Sequence, residues 1–185
     1  MKFWPSRERQ VAVDVTYLKL CEPPLAPNAP SDDVRVIRAD QATAGFYRFL
    51  YDQVGRDWQW YERLRMDDAA LLKAIRAPGI EIDVLHVAGV PAGYVELNFG
   101  SGVEVEVMYF GLMREFIGRG FGSYFLRWML HRAWQISPQR VWLHTCSLDH
   151  PRALGEYQKA GMQIYRTERI YIADPRSQFP HLDSP

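Results

Sequence analysis

Residues 104–123, EVEVMYFGLMREFIGRGFGS, run from an alternating strand into a glycine cluster and out into an amphipathic segment. From Val103 to Leu112 the residues are mostly β-branched, aromatic or aliphatic. Glu104 and Glu106 fall on one face, Val105, Val107 and Tyr109 on the other, the pattern of a half-buried strand that carries carboxylates. In Gly118-Arg119-Gly120-Phe121-Gly122 every second residue lacks a Cβ, so the backbone is free to take positive φ and a ligand is free to approach its N–H groups. The spacing predicts a helix from Ser123, with Phe125, Met129 and Ala133 on one side, Tyr124 and Trp128 beside them, and Arg127, His131 and Gln135 in a polar row. A glycine loop would then sit at a helix start, where unpaired N–H groups and the helix dipole favour an anion such as phosphate. A tight turn at a helix start uses glycine too, and both readings stay open.

Two familiar phosphate loops do not fit. The loop lacks the Gly-Lys-Ser/Thr ending of a nucleoside-triphosphate loop, and its alternating glycines do not follow Gly-x-Gly-x-x-Gly.

The rest of the chain frames this unit. Its 185 residues, 48% apolar and 24% charged, suit one globular domain. Twenty-two basic residues balance 22 acidic ones, which disfavours a nucleic-acid or anionic-membrane role. Cys21 and Cys146 stand far apart with no metal-ligand spacing, as unpaired thiols of a reducing compartment do. The first residues hold no apolar leader, and no run approaches the ~20 apolar residues that span a bilayer, so a cytoplasmic protein is expected.

Residues 11–20 alternate as a strand, and CEPPLAPNAP after them, with four prolines in ten residues, reads as an extended linker. Residues 1–30 are therefore expected to be an appendage to a domain at 31–175, with a loose tail at 176–185. A strand at 34–38 precedes a helix capped by Asp40 and running to about Val54, after which RDWQWYERL continues helically. Asp67 caps a further helix closed by Pro78-Gly79, and two strands follow, turning at Ala-Gly-Val-Pro near Pro91. RVWLHTCS (140–147) is a strand. A helix after His150-Pro151, capped by Asp149 or His150, stops at Gly161, and Gln163 to Ala173 alternates as a last strand. The order is an α/β pattern: a mixed sheet with helices on both faces, in which the strands flanking the helix after the glycines run parallel.

The run IGRGFG, preceded by EVMYFGLMREF, resembles the acyl-CoA signature of the GNAT superfamily of N-acetyltransferases, Gln/Arg-x-x-Gly-x-Gly/Ala, with Ile117 where the family usually has Gln or Arg. Ala153-x-x-x-Tyr157-x-x-x-Gly161-Met162 resembles a second family segment, with His150 where Asn is common. The resemblance spans roughly residues 34–172. It implies a GNAT-like mixed, mostly antiparallel sheet with a parallel strand pair at the acetyl-CoA site, and transfer of acetyl from acetyl-CoA to a primary amine of a small molecule. A protein amino group, or acyl-CoA binding without catalysis, stands as the alternative.

By that resemblance Phe110, Gly111, Leu112, Ile117, Gly118, Arg119, Gly120, Phe121, Gly122, Ser123 and His150 bind the coenzyme, Glu106 is the general base and Tyr157 protonates the departing thiolate. Glu104 and then Glu96 are the substitute bases; Arg114 and Arg127 join Arg119 as candidates for phosphate. Trp58, Trp60 and Tyr61 fall in the segment that forms the acceptor wall. No metal is implied, and a homodimer is an assembly the resemblance allows.

Overall fold

A computed structural model describes residues 10–100 and 102–179. Seven strands form one sheet: β1 (Gln10–Leu20), β2 (Val34–Arg38), β3 (Ile80–Val87), β4 (Val90–Asn98), β5 (Glu104–Leu112), β6 (Arg140–Cys146) and β7 (Gln163–Ala173). Their spatial order is β2-β3-β4-β5-β6-β1-β7, and β5 with β6 is the parallel pair among antiparallel neighbours. The helices are α1 (Ala44–Gly55), α2 (Asp68–Ile75), α3 (Phe121–Ala133), α4 (Ala153–Lys159) and the short α5 (Pro175–Gln178).

Each sheet face has its own core. On one, Tyr47, Leu50 and Val54 of α1 and Leu71 and Ile75 of α2 pack on Ile82, Val84 and Tyr94. On the other, Phe125, Met129 and Leu130 of α3 and Tyr157 of α4 pack on Val95, Leu97, Val105, Val107, Val141 and Leu143. None of these helices is long and apolar enough to cross a membrane.

The first strand departs from expectation. β1 is no appendage: it lies between β6 and β7, with Val15 to Leu20 opposite Cys146 to Val141, and Gln10 to Lys19 opposite Ala173 to Gln163. Alternation predicts the strand, but its partners lie more than a hundred residues downstream, where local pattern carries no signal. Residues 21–30 form neither helix nor strand as the chain crosses from the interior of the sheet to its far edge at β2.

Other differences are local. Thr43, not Asp40, caps α1 by accepting from the Phe46 N–H (3.2 Å), while Asp67 caps α2 as expected (2.8 Å). The β3–β4 turn is Ala88-Gly89, both at positive φ, with Pro91 already in β4. α3 begins at Phe121, two residues earlier than its apolar period suggests. Asp174 starts α5 within the segment expected to be a tail; 180–185 and 1–9 lie outside the described residues.

Leu18 of β1 is completely buried in the core under α3 and α4. Leu18→Ala is expected to cost about 2–5 kcal/mol of unfolding free energy in a urea titration. A near-neutral result would return β1 to the status of an appendage.

Candidate active site

β5 and β6 stay paired only from Glu104↔Arg140 to Glu106↔Trp142. On its other side β5 carries a bulge, since Glu96 opposes Tyr109 while Leu97 opposes Val107, and Met108 is the extra residue. A bulge bends its strand and raises the local twist. Beyond it the two parallel strands part, and a cavity of about 520 Å³ fills the fork.

One side of the fork is glycine loop and helix start. Gly118 (φ +80°) and Gly120 (φ +87°) take the left-handed conformation, and a Cβ at either would meet nothing within 4 Å. Gly120 is also the residue before the first turn of α3, with no side chain bonding the open N–H groups there. These amides and Gly122 and Ser123 border the cavity, as do Phe110, Gly111 and Leu112 at the end of β5, Ile117, and His150. Arg119 and Phe121 do not border it. The Arg119 guanidinium lies over the rings of Phe116 (5.3 Å) and Phe121 (5.2 Å), a cation–π clamp on the outside of the loop. Arg114 pairs with Asp57 (2.9 Å), and Arg127 lies on the exposed side of α3.

Tyr157 of α4 borders the cavity from the core side, its ring 6.4 Å from Phe110. Burial, with the negative charge of Asp149, pushes its phenol well above the ordinary value, so it holds its proton. Asp149 organises the loop after β6: it accepts from Thr145 Oγ1 (2.8 Å) and the Cys146 N–H (2.9 Å). Neither expected cap serves α4 by its side chain. Arg152 occupies the cap position, and His150 Nδ1 accepts from the Arg152 N–H (3.0 Å).

The structure separates the three candidate carboxylates. Glu104 is bound to Arg140 (2.8 Å), and Glu96 is wholly buried between Arg63 and the Tyr47 hydroxyl. Glu106 has no ion pair among the described residues. It is half-buried and set back from the cavity wall; burial raises its pKa, and His144 works the other way. His144 itself borders the cavity. Sequence reading passed over it, although the alternation Trp142, His144, Cys146 places it on the face of Glu106's partner Trp142.

RDWQWYERL is not continuous helix. Two single 3₁₀ turns, 56–58 and 63–65, flank Gln59 in the left-handed conformation (φ +58°). That reversal sends Trp58, Trp60 and Tyr61 to the cavity. Trp58 meets His150 edge-on (5.0 Å), and Trp60 Nε1 donates to Asp149 (3.4 Å). A Cβ on Gly55 would overlap the Trp60 indole, so that glycine seats the ring. Tyr109 packs on Tyr51 and Trp60 (5.2 Å each), and its hydroxyl donates to Glu62 (2.6 Å).

Arg63 backs this wall, with its guanidinium on Glu96 and 5.3 Å from the Tyr109 ring centre, and its backbone N–H on Tyr51 Oη (3.4 Å). The far wall is β1, β6 and β7: Val13, Val15, His144, Cys146, Ile170 and Ile172. Burial and Asp149 push the Cys146 thiol up to about 11, which leaves it unreactive at neutral pH.

A mixed sheet whose parallel pair forks, with the uncapped start of α3 bordering the fork, has the backbone N–H groups and dipole that favour an anion there. The sequence model of the Acetyltransferase (GNAT) family matches residues 36–162, and the chain belongs to that family. A comparison with curated protein sequences finds no match.

Among solved structures the chain is similar to a GCN5-related N-acetyltransferase from Sphaerobacter thermophilus, at 17% identity and TM-score 0.61, over 88% of this chain and 52% of that one. It is similar to a tandem GNAT protein from the clavulanic acid biosynthesis pathway, at 18% and 0.59, over 86% and 52%. A Vibrio cholerae spermidine N-acetyltransferase chimera aligns at 18% and 0.56, over 82% of this chain and all of that one. At these identities the likeness is one of fold, and the chain spans about half the length of the first two.

Burial raises the Glu96 pKa from its ordinary value, and Arg63 opposes that rise. Arg63→Met is expected to cost about 3–5 kcal/mol at neutral pH by leaving a buried carboxylate without its counter-charge. With Glu96 raised further above its unfolded value, the fold binds the proton more tightly than the unfolded chain does. The deficit therefore shrinks as pH falls and grows as pH rises through the folded pKa. Urea unfolding at about pH 5 and about pH 8 tests the sign; equal deficits would assign Arg63 to packing alone.

Proposed function

We propose that the protein is an acetyl-CoA-dependent N-acetyltransferase that moves the acetyl group directly to a primary amine of a small molecule. One observation carries this reading: an uncapped helix start and a proton-bearing Tyr157 face the fork from one side, while an aromatic wall faces it from the other.

The glycine loop suits the coenzyme's phosphates, which require backbone N–H groups open to an anion. The strand edges of Phe110 to Leu112 suit its amides and the thioester carbonyl. Ile117 supplies no polar contact in place of the usual Gln or Arg, so phosphate binding rests on the backbone.

The amine nitrogen bonds to the carbonyl carbon, the carbon–sulfur bond breaks, and the products are the N-acetylated amine and free coenzyme thiol. An alkylammonium with a pKa of roughly 10 must first lose a proton. Glu106 is the acceptor for that proton, which leaves the cavity past His144, and the raised pKa of Glu106 improves its match to neutral operation. The thiolate takes its proton from Tyr157, whose phenol borders the cavity.

Three outcomes are expected. Acetyl-CoA with a panel of amines releases free thiol; coenzyme binding without release from any amine would leave a silent binding module, and release with peptides alone would favour a protein amino group. Tyr157→Phe retains coenzyme affinity while single-turnover chemistry slows by roughly 10²–10⁴. Glu106→Gln loses most activity at low pH, where few amines are already neutral, and recovers as pH rises; a uniform loss at all pH values would make Glu106 positional.

Gly120→Asp puts a side chain and a negative charge at a left-handed residue in open space. Titration with acetyl-CoA is expected to show affinity lowered more than about tenfold. Unchanged affinity in the folded variant would mean that the glycines serve only the turn.

A further inference from the structure

The walls of the fork are chemically unequal, and the difference bears on the acceptor. Away from the glycine loop, the cavity is bounded by Tyr51, Trp58, Trp60, Tyr61 and Tyr109 on one side and by Val13, Val15, Ile170 and Ile172 on the other. The carboxylates that border it are engaged: Glu62 by the Tyr109 hydroxyl, Asp149 by Thr145, Cys146 and Trp60, Glu156 by Lys159. An acceptor with a second ammonium would have to share carboxylate oxygens that already hold donors. An acceptor with an apolar body would replace water among the rings and branched aliphatics and gain by burial.

The aliphatic wall comes from outside the segment that identifies the family. The family match ends at 162 and begins at 36, whereas Val13 and Val15 belong to β1 and Ile170 and Ile172 to β7. The pairing Val13↔Ile170 and Val11↔Ile172 sets these side chains on one face of the sheet, turned to the aromatic wall across the fork.

Building on the transferase reading above, we propose that the acceptor is a primary amine carried on a bulky apolar body, aromatic or branched aliphatic. The amine points to the junction of β5 and β6 near His144, and the body lies between the Trp58–Tyr61 segment and the β1–β7 wall. In this scheme Ile170 and Ile172 determine specificity and do not touch the thioester. Ile170 is the variant site of choice because, at 37% exposure, it tolerates change better than the buried Val13 and Val15.

The test uses the full chain with acetyl-CoA, and phenylethylamine and tryptamine against spermidine and putrescine, with thiol release as readout. The apolar amines are expected to show kcat/KM at least about tenfold above the polyamines. Ile170→Glu is expected to raise KM for phenylethylamine about tenfold or more while acetyl-CoA affinity, measured separately, stays within about twofold; Ile170→Val restores KM. A preference for the polyamines would overturn this proposal and leave the transferase intact, as would an unchanged KM in Ile170→Glu. Thiol release from no amine would overturn the transferase reading and this proposal with it.

Discussion

A backbone amide removed from water must find a partner, and the fork between β5 and β6 is where the sheet stops supplying one. The strands exchange hydrogen bonds through Glu106 and Trp142 and then part, so the inner edges of Val107 to Leu112 and Leu143 to Cys146 turn to a cavity instead of to each other. Gly120 repeats the arrangement at the start of α3, where the residue that normally caps has no side chain to offer. Two sets of unpaired groups thus converge on one volume. The coenzyme proposed above, with amides along its length and phosphates at its end, would match both.

Opening a sheet costs rigidity, and the surrounding side chains restore it. Arg63 and Glu96 form a buried pair behind the aromatic wall, with Tyr47 completing the shell of the carboxylate. Pairs of this kind contribute little net stability compared with apolar residues of similar volume, but they tolerate few alternative arrangements. Here the pair joins β4 to a segment that has only two 3₁₀ turns of its own, and so fixes where Trp58, Trp60 and Tyr61 stand. Asp149 does the same from the other side, tying the loop after β6 to Trp60.

Much of this was legible in the residues, and the rest fails for definite reasons. Alternation and glycine spacing expose β5, the loop and α3 because those signals are local. Gly118, Gly120, Gly122 and Tyr157, from the two family-like segments, border one cavity. Arg119 lies on Phe116 and Phe121 instead of bordering the cavity, a placement that a guanidinium beside glycines does not announce in the sequence. The bend at Gln59 escaped notice because a left-handed glutamine has no compositional mark. His144 and the Glu104 partner Arg140 depend on strand register, which a single strand's pattern does not encode, and the Glu96 partner Arg63 arrives from a 3₁₀ turn outside the sheet.

The placement of β1 reaches beyond the native fold into the life of the nascent chain. Its neighbours follow it in the chain by more than a hundred residues, and Tyr17 meets Glu168 while Asp14 meets Arg169. Val11 to Leu20 thus leaves the ribosome as a strand with unpaired edges and waits for more than a hundred further residues before either partner exists. Contacts of such long sequence separation slow folding, because loop-closure entropy is lost before pairing compensates it. The prolines and sparse apolar content of residues 21–30 keep the strand from being extended by its own neighbours during that wait. Until β6 and β7 have formed, β1 is an unpaired strand edge of the kind that misassembles most readily.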